Sequence, residues 1–291
     1  MIGAELLFEA GDVVGEGPYW DSEKKILHWV DIGGKRVHSY DTVKKIDKPI
    51  ETGDLTPAMT LTKSGRALVV LKNTIKIMDL DTGSGQTVFK MESLPDRVRF
   101  NDGKCDAAGR FWVGTMDIEE TEKLGCLYRI DPGFSCKKIL DGAVIANGMA
   151  WSADNRLMYF IDTPTREVWE FDFDITFGEI SNKRIVAVIP DGEGAPDGMT
   201  IDSEGMLWVA QFRGAKVSRW NPRTRERIAE YPVPTYNITC CTFGGCDMDE
   251  LFITSANVLM EGSTKDQQKL AGSLFKLKPG VKGLKPNRFD C

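Results

Sequence analysis

Six short phrases recur along this chain at a spacing that few folds can accommodate. WDSEKKIL (20–27), LTKSGRAL (61–68), CDAAGRFW (105–112), WSADNRLM (151–158), IDSEGMLW (201–208) and GCDMDELF (245–252) superimpose without gaps. Their second residues, 21, 62, 106, 152, 202 and 246, are separated by 41, 44, 46, 50 and 44 positions. Each phrase leads into a β-rich run such as Ile26–Val30, Ala67–Leu71 or Leu157–Ile161, and a second alternating run follows, as in Arg36–Tyr40 or Glu167–Phe171. Period-two alternation marks half-buried strands, and helical periodicity is nearly absent. A repeat of 40 to 50 residues with about four strands is one blade of a β-propeller. Six blades account for the 291 residues, so the expected fold is all-β, a six-bladed propeller forming a single domain over residues 1–291. The N-terminal run Glu5–Glu9 is expected to pair beside Gly272–Leu277, which closes the ring without a free edge.

In a propeller the innermost strand of every blade lines a central channel, so equivalent positions of the six repeats converge on one axis. Five residues upstream of each aligned position stand Glu16, Pro57, Asn101, Asn147, Asp197 and Cys241. Four of these six carry oxygen donors, and each of the four stands within two residues of a glycine. Any one of them could be a turn-former. Two carboxylates and two amides at the same phase read instead as an oxygen cage of charge −2 around a central metal channel. Such a cage suits one divalent cation, Ca²⁺ first, with Zn²⁺, Mn²⁺ or Mg²⁺ also compatible.

Composition narrows the partners. A net charge of −6 and a pI of about 5.2 repel nucleic acid and anionic membranes. No apolar run is long enough to span a bilayer, and the opening MIGAELLFEAGD lacks the basic leader of a secretory signal. Seven cysteines without a CxxC pair read as reduced thiols, so a cytoplasmic location is expected. A closed propeller without an apolar stripe is expected to be a monomer. His28 and His38, the only histidines, both fall in strand-like runs of the first repeat and read as structural. The recurring Trp20, Trp112, Trp151 and Trp208 read as packing between blades. The basic stretches Arg223–Arg227 and Lys276–Lys285 read as a solvated hairpin and tail.

A series of phrases carries a resemblance: Val14-Gly15-Glu16-Gly17-Pro18, Arg99-Phe100-Asn101-Asp102-Gly103, Gly114-Thr115-Met116, Ala146-Asn147-Gly148-Met149, Pro196-Asp197-Gly198-Met199 and Leu207-Trp208-Val209-Ala210. In this order, over most of the chain, they resemble the senescence-marker-protein, regucalcin and gluconolactonase family. The resemblance implies a divalent cation held by Glu16, Asn147 and Asp197, with Asn101 beside both metal and substrate. It implies substrate contacts from Arg99, Asn101 and Glu119, the last drawn from an acidic loop that also contains Glu120. Asp197 is implied as the catalytic proton shuttle. The implied activity is hydrolysis of a sugar lactone, a small-molecule substrate, to its aldonic acid. A calcium-binding regulator without catalysis and an organophosphate-ester hydrolase are the alternatives.

Overall fold

The recurring turn phrases owe their regularity to side-chain oxygens that satisfy the turn's own amides. In the computed structural model, which describes residues 2–258 and 268–291, Asp21 Oδ1 accepts from the Glu23 amide (3.0 Å), and Asp106 Oδ1 from Ala108 (2.9 Å). Asp202 Oδ1 accepts from Glu204 (2.9 Å). Thr62 and Ser152 do the same with hydroxyls, taking the Arg66 amide (3.1 Å) and the Leu157 amide (3.0 Å). Each turn joins the inner strand of a blade to the next strand outward.

Those inner strands are Gly15–Asp21, Ala58–Leu61, Val98–Cys105, Ala146–Trp151, Ala195–Ile201 and Ile238–Gly244, each at the edge of its own antiparallel sheet. Every inner strand packs on the next, and the sixth returns to the first, so six sheets form a closed ring. In the last sheet the outermost strand is Glu5–Phe8, paired with Leu274–Leu277 through Glu5 opposite Lys276 and Leu6 opposite Phe275. The first and last strands of the chain thus share one blade, as the sequence predicts. The first blade has a broken outer strand, Ile46–Asp47 and Ile50–Glu51 on either side of Pro49, which has no amide hydrogen for the ladder.

Apolar faces of neighbouring blades meet around large aromatics. Trp112 lies edge-on to Trp151 (5.9 Å between centroids) and Trp208 edge-on to Phe243 (5.4 Å), while Trp20 packs against Phe252. Buried indoles need a partner for their N–H. Trp112 donates to Asp106 (2.8 Å) and Trp208 to Asp202 (2.9 Å), the same aspartates that cap the turns.

His38 is held in a buried polar core of the first blade. Its ring stacks on Trp29 at 4.4 Å, with Nδ1 at 2.7 Å from Asp47 and Nε2 at 3.2 Å from Asp12. Burial alone would lower its pKa, but hydrogen bonds and charges from Asp12 and Asp47 outweigh it and push it up to about 9. A folded-state value above the unfolded one gives stability that is complete below about pH 6.5 and lost as pH rises through about 9. Calorimetry should therefore show His38→Gln flattening the fall in stability between about pH 6 and 10, by roughly 2–3 kcal/mol relative to the unsubstituted chain. Parallel curves for the two proteins would refute the assignment.

Candidate functional site

Regular alternation would turn only every second inner-strand residue toward the axis. Five of the six inner strands break it with a register shift, between Glu16 and Tyr19, Phe100 and Gly103, Ala146 and Met149, Pro196 and Met199, and Ile238 and Cys241. A bulge sets two residues against one on the partner strand and re-aims side chains. Asn101 and Asp102 thus stand together against one partner residue, and both are buried (7% and 4% exposed). The second blade, where the phase falls on Pro57, has a regular inner strand and no polar side chain at this position.

The sixth blade corrects the sequence count by one. Gly244 pairs with Glu250, leaving a five-residue turn like the one between Cys105 and Phe111. Gly245 (φ +81°) stands where the other blades have a capping side chain. Counted back from this turn the position is Cys240 and not Cys241, and within the bulge Cys240 matches Asp102 while Thr239 matches Asn101. The Cys240 thiol reaches the carboxylate of Glu16, and burial, with Glu16 and Asp102 nearby, pushes its pKa well above the usual thiol value. Glycines make this close approach possible. A Cβ on Gly198 would sit 2.2 Å from the Cys240 sulfur, and one on Gly148 2.5 Å from the Asp197 carbonyl oxygen.

Glu16, Asn101, Asn147 and Asp197 stand in the first halves of four inner strands, and short hydrogen bonds hold each of them. Asn147 Nδ2 donates to Asp197 Oδ1 (2.5 Å) and to Thr163 Oγ1 (3.1 Å), and that hydroxyl donates to the Pro196 carbonyl (2.8 Å). Asn101 Nδ2 donates to the Ala146 carbonyl (3.0 Å), while its Oδ1 accepts from Arg99 Nη1 (2.9 Å). Glu16 Oε2 accepts from the Gly17 amide (2.6 Å) and Asp102 Oδ1 from the Gly103 amide (2.7 Å). The two anchored amides thus present their groups in fixed orientation.

Electrostatics bind the acids into one unit. Burial raises the pKa of Glu16 well above the usual carboxylate range, and the charges of Asp197 and Asp102 raise it further. Asp197 is raised in the same way by burial and by Asp102, with the Asn147 hydrogen bond opposing. Asp102, an acid that counting one residue per blade overlooks, is raised by burial and eased by Lys104. Arg99, depressed to about 10 by burial, feels Glu120, Glu16 and Asp197. Among the described residues, no three acidic, thiol or imidazole groups come together at metal-ligand spacing.

In the acidic loop Glu119 and Glu120 are both exposed, and their charges reach different partners. Glu119 is 67% exposed on its side chain and pairs with Arg97 at 3.2 Å. Its neighbour Glu120 is the acid whose charge acts on both Arg99 and Asp197. Asp117 determines this arrangement. It is fully buried, receives Arg97 through Nε (2.9 Å) and Nη2 (2.7 Å), and caps the amides of Glu119, Thr121 and Glu122. The turn it builds sets Glu120 at φ +57°, swinging the chain between two adjacent glutamates.

Six antiparallel blades closed into a ring, with buried acids and anchored amides on their inner strands, make the chain a six-bladed β-propeller. The chain belongs to the SMP-30/Gluconolactonase/LRE-like family, whose profile matches residues 14–257. It is 36% identical to regucalcin of Danio rerio over 291 residues, covering 99% of this chain and 98% of that one. It is 37% identical over 277 residues, 95% of both chains, to YvrE of Bacillus subtilis, whose name assigns it provisionally as a sugar lactone lactonase. Among solved structures, a luciferin-regenerating enzyme superimposes with a TM-score of 0.92 at 32% identity, covering 99% of this chain and 100% of the other. No helix among the described residues is long and apolar enough to cross a membrane.

Proposed function

We propose that the chain is a divalent-cation-dependent hydrolase that opens a sugar lactone to its aldonic acid. The observation carrying this reading is the pairing of two unlike features. Buried acids that repel one another need a cation, and Arg99 stands beside them on the Asn101 amide, a group that a pure ion site does not require. The donor set fits a hard divalent cation. Two carboxylates, Glu16 and Asp197, and the amide oxygen of Asn147, which accepts no hydrogen bond among the described residues, would hold it, with Asn101 alongside. When bound, such an ion polarises a carbonyl and lowers the pKa of water.

The chain's own residues supply the rest. Arg99 and Asn101 hold the oxygens of the lactone so that its carbonyl carbon faces Asp197. Glu120, on the loop at the same mouth, takes sugar hydroxyls. Asp197 removes a proton from the attacking water as its oxygen bonds to the carbonyl carbon, and returns a proton to the ring oxygen as the ring C–O bond breaks. The atoms of water end up in the acid and the freed hydroxyl of the aldonate.

A pH-stat screen of sugar lactones, with Ca²⁺, Zn²⁺, Mn²⁺ and Mg²⁺ each in turn, tests the reading. Cation-dependent lactone opening is expected. Cation binding without turnover would support the regulatory alternative, which the regucalcin relative keeps in view. Turnover confined to phosphofluoridates would support the phosphoester alternative. The two loop acids separate cleanly. Glu120→Gln should raise KM and lower kcat/KM by roughly 10- to 100-fold, whereas Glu119→Gln should change it by about threefold or less. The reverse order would return the substrate role to Glu119.

A further inference from the structure

The channel has a second end, and it holds a cavity that the lactone reading does not use. About 320 Å³ in volume, it runs from Gly17 and Cys240, beside the proposed cage, to Tyr19, Thr60, Lys104, Ala150 and Thr242 further along the inner strands. The proposed cation cage lies in the first halves of the same strands, so the cavity opens toward the other mouth, with Asp102, whose charge acts on Glu16 and Asp197, between the two. The C-terminal segment 284–287 covers this far mouth. Gly283 ties it to Met248 (2.8 Å) on one side, and Asn287 Nδ2 to the Cys105 carbonyl (3.2 Å) on the other.

Asp102 lines the cavity, is 4% exposed, and its Oδ2 has no hydrogen-bond partner among the described residues. An unpaired buried carboxylate oxygen is costly unless something donates to it. Lys104 also lines the cavity and spends one N–H on the Met199 carbonyl (2.7 Å). The ammonium acts electrostatically on Asp102, yet no ion pair within 4 Å joins them among the described residues. A group that donates to the carboxylate and accepts from the ammonium would bridge the gap. A hydroxyl does both. A bare cation would be repelled by Lys104 and a simple anion by Asp102. Threonine hydroxyls from Thr60 and Thr242 add further polar partners, and Pro18, Ile201 and Pro286 offer apolar walls to the C–H faces of a carbohydrate. The volume suits one small ligand.

We propose that this far vestibule is a second binding site, for a small neutral polyhydroxylated molecule held between Asp102 and Lys104. It stands whether or not the other mouth opens lactones. Isothermal titration of the cation-loaded full chain with sorbitol should give a Kd on the order of 1 mM. 1,2-Dimethoxyethane, which has acceptors but no donors, should not bind. Lys104→Met should weaken sorbitol at least tenfold while Glu120→Gln leaves it unchanged. The proposal is overturned if sorbitol does not bind, if the ether binds equally well, or if Glu120→Gln rather than Lys104→Met removes binding, which would place the polyol at the lactone mouth. The sorbitol and ether comparison on the unsubstituted protein tests the need for a donor, and Glu120→Gln, which leaves the far vestibule untouched, places the polyol even if Lys104→Met fails to fold.

Discussion

Asp197→Ala should lower lactone turnover by about 10³-fold or more, and at the same time make the cation-free protein more stable. The two effects share one cause. Asp197 is raised in pKa by burial and by Asp102, and Glu16 is raised by burial and by Asp197. Without a cation, folding must desolvate acids that repel one another, so removing one relieves the fold by roughly 1–3 kcal/mol. General-base catalysis typically contributes about 10²–10⁴-fold, and the same carboxylate is one of two charged donors proposed for the cation. The fold survives because blade packing, centred on residues such as Trp112, Phe160 and Trp208, is untouched. Glu16→Gln should weaken cation affinity in the same direction, since it cuts the cage charge from −2 to −1. The checks are initial rates on δ-gluconolactone, cation titration and thermal unfolding with and without chelator. Near-normal rates at full cation occupancy would move the proton shuttle elsewhere, and an unchanged chelated melting temperature would undo the repulsion argument.

Parts of this site are legible in the sequence because the turns announce their own phase. Asp21, Thr62, Asp106, Ser152 and Asp202 recur because an inner-strand turn needs an oxygen to cap its amides, and counting back from them reaches Glu16, Asn101, Asn147 and Asp197. Where the turn is made by backbone alone, as at Gly245 with its positive φ, the count slips and selects Cys241 in place of Cys240. Asp102 escapes for a different reason. Phase counting assumes one inward residue per strand, whereas a bulge sets two in succession against one partner, and the bulge shows only in the pairing with the next strand. The choice between Glu119 and Glu120 rests on a single backbone angle fixed by Asp117 and Arg97. The tail is legible in part, since Lys278, Lys282 and Lys285 are exposed as a solvated stretch should be, while Lys276 lies half-buried in a strand.

Phe289→Ala should destabilise the chain by about 3–5 kcal/mol, a large effect for a residue two positions from the C-terminus. Chain ends usually fray unless something ties them down. Here the segment crosses the turn face of the propeller. Ser203 donates to the Lys282 carbonyl (2.8 Å), Phe289 donates to the Leu61 carbonyl (2.9 Å), and Lys63 donates to the Phe289 carbonyl (2.8 Å). The ring of Phe289 is fully buried among Leu68, Phe100 and Phe111 and lies 5.6 Å from Phe134. Truncating it opens a cavity between the second and third blades that rigid sheets cannot collapse to fill. The nearby Lys63–Asp290 pair, with side chains 56% and 47% exposed, is the contrast. Water and salt screen such a pair, so Lys63→Ala should cost about 0.5 kcal/mol or less. Urea unfolding of both variants separates burial from surface charge as the source of the strap's hold. A loss below about 1 kcal/mol for Phe289→Ala would mean that the segment rests on the propeller without clamping it, and that the far mouth is closed only by hydrogen bonds a single water layer could replace.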